Sequence, residues 1–214
     1  MDDASARRAI VDTLRRMAAL GLARGTAGNA SVRAEGGFYV SPTGMDYATL
    51  SPDQVVRMHW DGRFEGDVLP SSEWRFHRDV LRERPEFDAI VHTHSPCATA
   101  VAVLGHEIPA VHYMVAAAGG STIPIARYAT FGTEELSQAV VQALRGRRAC
   151  LMAHHGVLAA HHTLERALAL AVTVEEMAEL YLRVLPHPPL RVLDDDEMAR
   201  VLEKFRTYGQ QRPA

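Results

Sequence analysis

Lysine is almost missing from this chain. Of 23 basic residues only Lys204 is a lysine, and it stands beside Glu203 and Arg206 in a polar C-terminal segment read as an exposed helix. Schiff-base catalysis needs a desolvated lysine amine, so covalent chemistry of that kind is set aside. Cysteine is as scarce: Cys97 and Cys150 are too few for a disulfide framework and are not spaced as a zinc knuckle, so both are expected as buried thiols. No stretch approaches the ~18 apolar residues of a membrane span. Behind Asp2 and Asp3 there is no positively charged segment followed by an apolar one, so a cytoplasmic location is expected. A large charge of one sign is lacking too. The formal net charge of −3 leaves no electrostatic footprint for nucleic acid or an anionic membrane, and the one basic cluster, Arg145, Arg147 and Arg148, reads as a solvated helix end. No Walker loop, Gly-x-Gly-x-x-Gly or Gly-x-Ser-x-Gly occurs. The run from His106 to His112 opens like a zinc-protease helix, but its second histidine comes late and Pro109 interrupts the turn.

What is present is an ordinary soluble balance, 47% hydrophobic and 23% charged over 214 residues, enough for one well-cored domain spanning 1–214. Ile10, Leu14, Met17 and Leu20 mark one face of a helix over 5–23, ended by Gly21 and Gly25. Strand patterns at 31–33 and 38–41 flank Glu35-Gly36-Gly37, and 55–60 with Phe64 flank Asp61-Gly62, two hairpin signals. A helix over 72–84, capped by Ser71 or Ser72, places Glu73 in its first turn, and Pro85 stops it. Further on come a strand through His92 and His94, a helix from Pro96 to about Leu104, and a strand over 122–126. A helix from Thr133, a strand over 150–153, a long helix over 163–185 and a polar helix over 194–208 follow. His161 and His162 are read as exposed residues after a turn. Tight turns between strands predict an α/β fold whose sheet is largely antiparallel or mixed rather than doubly wound.

His92 and His94 are the chemical centre of the sequence. In a strand, residues two apart point to the same side, so both imidazoles face one way. Two satisfied core histidines would explain the pair as well. Burying two rings with nothing to bond is costly, however, whereas a divalent metal uses both. His155, beside Gly156 where close backbone approach is possible, and Glu73 would complete a set of three imidazoles and a carboxylate suited to zinc. His154 competes with His155 for the third place, and spacing does not choose between them. Glycine and small hydroxyl residues gather at Gly28-Asn29, Thr43-Gly44 and Ser71-Ser72, each offering N–H groups and a short donor that hold a phosphate without a lysine. Ser72 adjoins Glu73, which would bring such an anion near the metal.

With these residues goes a resemblance. Gly25-Thr26-Ala27-Gly28-Asn29-Ala30-Ser31, Ser41-Pro42-Thr43-Gly44, Leu69-Pro70-Ser71-Ser72-Glu73-Trp74-Arg75-Phe76-His77 and His92-Thr93-His94 occur in order, followed by Ile108-Pro109-Ala110-Val111-His112-Tyr113-Met114. Tyr128-Ala129-Thr130-Phe131-Gly132-Thr133, His154-His155-Gly156 and Lys204-Phe205-Arg206-Thr207-Tyr208-Gly209 complete the series. Over nearly its whole length the chain resembles the class II, zinc-dependent aldolases of the L-fuculose-phosphate aldolase type, within the aldolase, epimerase and adducin-head superfamily. The resemblance implies that His92, His94 and His155 ligate zinc, with iron or manganese as substitutes. Glu73 would be both a ligand in the resting enzyme and the acid/base, and Gly28, Asn29, Thr43, Gly44, Ser71 and Ser72 would hold the substrate phosphate. It also implies a single domain with a central, mainly antiparallel sheet flanked by helices on both sides. The implied assembly is a cyclic homotetramer with sites between subunits, where Tyr113 and Tyr208 reach a neighbour's site.

The expected reaction is reversible cleavage of a ketose 1-phosphate, first of all L-fuculose 1-phosphate, to dihydroxyacetone phosphate and an aldehyde such as L-lactaldehyde. Zinc would stabilise the enediolate, a role that needs no lysine. Pentulose-phosphate 4-epimerases of the same superfamily resemble one another in an aspartate near the position of Tyr113. Here Glu107 is the only carboxylate between His106 and Thr133, which disfavours that reaction. Methylthioribulose-phosphate dehydratases and oxidative decarboxylases share the metal triad and stay open. A non-catalytic module with structural zinc would not need phosphate loops. The ending Gln210-Gln211-Arg212-Pro213-Ala214 departs from the family's more hydrophobic and acidic tail.

Overall fold

Gly36, at a φ of 71°, turns the chain between β1 (Asn29–Ala34) and β2 (Gly37–Val40), and Ala34 faces Gly37 across that turn. In a computed structural model, which describes residues 2–207, this hairpin begins a seven-stranded sheet. β3 (Val56–His59) continues the meander, and the turn at Asp61-Gly62 returns the chain only as far as a single bridge between Met58 and Phe64. β4 (Ala89–Thr93), β5 (Ile125–Ala126), β6 (Ala149–Met152) and β7 (Gly156–His161) complete the order β3-β2-β1-β4-β7-β6-β5. Every neighbouring pair is antiparallel except β5 with β6. The expected mainly antiparallel, mixed sheet is what forms.

Helices cover both faces. On one side α1 (Asp3–Ala19), α3 (Pro96–Leu104) and α5 (Leu164–Val184) pack Ile10, Leu14, Val101, Leu168 and Val174 against Val91, Leu151 and Ala159. On the other, α2 (Trp74–Glu83) and α4 (Glu134–Ala143) pack Phe76, Val80, Leu136 and Val140 against Ile90, Cys150 and Leu158. Alternation along β4 therefore puts His92 with Ile90 on the α2 side, where its ring meets the edge of Phe76. α6 (Asp195–Arg206), capped by Asp194, closes the described chain. None of the described helices is long and apolar enough to cross a membrane.

Three expectations change. The sequence pattern predicts no strand over 156–161, yet Gly156–His161 is a central strand between β4 and β6. Val157 to Ala160 are all buried, so the strand carries no alternation that would announce it. Glu73 is not in the first turn of α2 but at its N-cap, and neither Ser71 nor Ser72 caps the helix; Ser71 Oγ instead accepts from the Glu73 N–H at 3.3 Å. Cys150 is buried as expected, but Cys97 is only half-buried, on the first turn of α3, where its N–H and that of Ala98 donate to the Glu175 carboxylate.

Candidate metal centre

The end of β4, the start of β7 and the N-terminus of α2 meet at one point. Gly156 makes this possible: a Cβ there would lie 2.2 Å from the Thr93 carbonyl oxygen, so only glycine lets the two strand ends come this close. The ligand atoms of Glu73, His92, His94 and His155 consequently lie within 4.8 Å of one another. His92 Nε2 stands 3.0 Å from His94 Nε2 and 3.2 Å from Glu73 Oε2, and His155 Nε2 stands 3.1 Å from Glu73 Oε1. The structure thus chooses His155. Its neighbour His154, at a φ of 55°, stays out of the cluster, is exposed and meets the ring of Tyr128 edge-on.

The donor chemistry of this cluster fits a divalent cation. The Val157 carbonyl only accepts, so His92 donates to it through Nδ1 at 2.8 Å, and its Nε2 is left to face the cluster as a lone pair. Glu73 Oε1 is buried and makes no hydrogen bond, although His155 is near. Lone pairs facing one another at these distances repel unless a cation lies among them. Three imidazole nitrogens and one carboxylate oxygen are a catalytic zinc set, and such nitrogen and oxygen ligands also serve iron or manganese. Burial pushes the Glu73 carboxyl up, but the His92 and His155 rings, when protonated, overcome it and hold the carboxyl well below the ordinary carboxylate range; with bare rings that charge has to come from the cation. Loss of water, followed by the neighbouring His92 and His155, pushes the His94 imidazole down to about 4, even though the residue as a whole is exposed.

Above the cluster opens a cavity of about 320 Å³, and every residue expected to hold phosphate lines it: Gly28, Asn29, Thr43, Gly44, Ser71 and Ser72, with Glu73, His94 and His155. Gly28 takes a φ of 84°, and a Cβ on it would lie 2.6 Å from the His92 carbonyl oxygen, so the loop rests directly on the strand that carries His92. Not all the expected N–H donors are open, because Thr43 donates to Leu69 and Ser71 to Ser41. Short hydroxyls and the remaining N–H groups line the cavity, and among the described residues no lysine or arginine does.

Several residues went unassigned in the sequence. Tyr47 donates to the Gly28 carbonyl at 2.6 Å and lies near those of Thr26 and Ala27, tying this loop to the one that follows Gly44. Tyr128, Ala129 and Phe131 form an apolar flank of the cavity, and Arg75 ties their loop to α2 by donating to the Gly132 carbonyl at 2.8 Å. Ser31 and His77 are buried behind Asn29, and burial pushes the His77 imidazole down to about 3. All but Tyr47 lie inside one of the ordered motifs, but only the tertiary structure places them at the site. Tyr113 does not line this cavity. It is 49% exposed on a short 3₁₀ turn (Tyr113–Ala118), with its ring stacked on Phe205 of α6. Tyr208 lies outside the described residues.

The family model of the Class II Aldolase and Adducin N-terminal domain matches residues 8–182. The chain belongs to this family. Among its relatives is a 5-methylthioribulose-1-phosphate/5-deoxyribulose-1-phosphate aldolase of Rhodospirillum rubrum, 53% identical over 95% of this chain and 92% of the relative. An L-fuculose phosphate aldolase of Escherichia coli K12 is 51% identical over 94% of each. A solved L-fuculose 1-phosphate aldolase superposes with a TM-score of 0.91 at 36% identity, covering 94% of this chain and 96% of that one. Class II aldolase membership agrees with a Glu/His cluster able to hold a metal ion beneath a cavity lined by the three glycine and hydroxyl loops.

Proposed function

We propose that this chain is a zinc-dependent aldolase that reversibly cleaves a ketose 1-phosphate to dihydroxyacetone phosphate and a short aldehyde. One observation carries the reading: the three histidines and Glu73 converge at the floor of the cavity that the phosphate loops line. A bound divalent cation supplies Lewis-acid stabilisation of the negative charge left when the C3–C4 bond breaks. The protein's own groups do the rest. Thr43, Gly44, Ser71, Ser72, Gly28 and Asn29 seat the phosphate and so fix which carbons lie over Glu73. As the C4 hydroxyl loses its proton the bond breaks and the aldehyde carbonyl forms, while the electron pair left at C3 takes up a proton. Glu73 carries the proton at C3. Tyr113 and Tyr208 of a neighbouring copy serve the C4 oxygen, in a homotetramer whose sites lie between subunits; the exposure of Tyr113 on this chain agrees with that placement.

L-fuculose 1-phosphate is the first substrate of this proposal, with L-lactaldehyde as the second product. A specific observation favours 5-methylthioribulose 1-phosphate as the alternative. Tyr128 and Phe131 flank the cavity at 60% and 64% exposure, an apolar wall suited to a methylthio tail, and the relative from Rhodospirillum rubrum is named for that substrate. Coupled assay of dihydroxyacetone phosphate release from both ketose phosphates and from 5-deoxyribulose 1-phosphate tests the reading. Release from at least one supports it, and release from none overturns it.

A further inference from the structure

Behind Glu73 runs a buried line of polar groups that the cleavage scheme leaves unused. His77 follows Glu73 by one helical turn on α2, is fully buried, and has Ser31 on one side and Asn29 on the other. Ser31 Oγ lies 2.7 Å from His77 Nδ1, His77 Nε2 lies 2.5 Å from Asn29 Oδ1, and Asn29 Nδ2 lies 2.9 Å from Glu73 Oε2. We propose that His77 is a positioning residue for Glu73, acting through the side-chain amide of Asn29.

Donor and acceptor chemistry leaves one arrangement. The Glu73 carboxylate only accepts, so Asn29 must present its NH₂ to it, and the amide oxygen then faces His77. That oxygen also only accepts, so His77 must donate from Nε2. Nδ1 is consequently bare and accepts from the Ser31 hydroxyl. With the other tautomer the bare Nε2 would call for the amide's NH₂, the amide would turn over, and its oxygen would confront the carboxylate. The tautomer of a fully buried ring thus goes with whether Glu73 Oε2 keeps its donor, and the Ser31 hydroxyl of β1, free to donate, meets the bare Nδ1. Asn29 also lines the cavity, so one amide orients the carboxylate and lies where the substrate phosphate is seated.

This inference rests on the proposed role of Glu73, and its test separates the two. Long-range ¹H–¹⁵N NMR of the zinc-loaded, otherwise unmodified protein should show His77 with Nε2 protonated and Nδ1 bare; an Nδ1–H tautomer or an imidazolium overturns the inference whatever the protein catalyses. His77→Gln keeps a donor near the Nε2 position, whereas His77→Asn reaches only the Nδ1 position. The Gln variant should hold kcat within about 3-fold of the parent, and the Asn variant should lose ~10–100-fold in kcat, the range for partners behind a metal ligand, with KM and bound zinc per chain unchanged. Equal kcat in the two variants, or a loss that only tracks lost zinc, overturns it. Should His77→Asn fail to fold, Ser31→Ala takes its place: His77 keeping Nε2–H with kcat within about 3-fold of the parent, or losing it together with kcat, supports the inference, and either change without the other overturns it. A parent protein that cleaves no ketose phosphate would end the proposed function but leave the tautomer result standing.

Discussion

Adding one methyl group at Gly156 should loosen the metal centre by a calculable amount. The Cβ of Gly156→Ala would lie 2.2 Å from the Thr93 carbonyl oxygen and 3.1 Å from His94 Cδ2. A backbone oxygen cannot swing aside, and ordinary contact needs roughly 3.4 Å or more, so the ends of β4 and β7 must part by about 1 Å. Overpacking of this kind costs ~1–3 kcal/mol of folding stability. The displaced point lies between His92 and His94 on one strand end and His155 on the other, so the ligands move with it. Misplaced support around a metal typically costs ~10–100-fold in affinity. Gly105→Ala is the control. Gly105 has a φ of 73° and nothing near its missing Cβ, so alanine there pays only the left-handed penalty of ~1–2 kcal/mol and leaves the metal alone. Zinc affinity by chelator competition, beside urea unfolding, reads both effects. Gly156→Ala binding zinc as tightly as the parent, or Gly105→Ala losing it equally, would refute the reasoning.

Glu73→Gln removes the proton carrier while keeping shape, and kcat for dihydroxyacetone phosphate release should fall ~10²–10⁴-fold, as for a positioned acid/base, with an unchanged rate contradicting its role. His77 gives a stability signature in acid. The unfolded chain takes up a proton near 6.5 that the folded chain refuses until about 3, so this contribution is complete above 6.5 and is lost as pH falls towards 3. Urea unfolding across that window should show the parent losing stability more steeply than His77→Gln; parallel curves would contradict it. Subunit mixing tests the shared site. Tyr113→Phe and Glu73→Gln, each poorly active alone, should regain turnover when unfolded and refolded together, and a mixture no better than its parents would place Tyr113 outside the site.

Much of the site was legible because its chemistry follows short-range geometry. Two imidazoles two residues apart in a strand face one side, and His92 and His94 do so with Nε2 atoms 3.0 Å apart. The hairpin at Glu35-Gly36 and the helix from Thr133 carry their own turn and cap chemistry, with Thr133 Oγ1 accepting from Leu136 at 3.3 Å. What stayed hidden depends on the tertiary structure. β7 is apolar on both faces and shows no period, so His155 and His154 could not be separated until pairing with β4 fixed which ring turned inward. Ser31 and His77 are 46 positions apart, and nothing local announces their 2.7 Å contact. Glu73 sits at the N-cap rather than inside α2, and its side chain meets Asn29 and the histidines instead of capping the helix. Tyr113 faces away from its own chain's cavity, a placement that periodicity along the sequence does not encode.

Metal removal tests most directly whether the Glu73, His92, His94 and His155 cluster drives cleavage. Protein stripped by a chelator and shown to be folded should release no dihydroxyacetone phosphate from the ketose 1-phosphate that the untreated protein cleaves. Stoichiometric zinc should restore it, and should fail to restore a His94→Ala variant treated in the same way. Stripped protein that turns over at the untreated rate would contradict the claim outright.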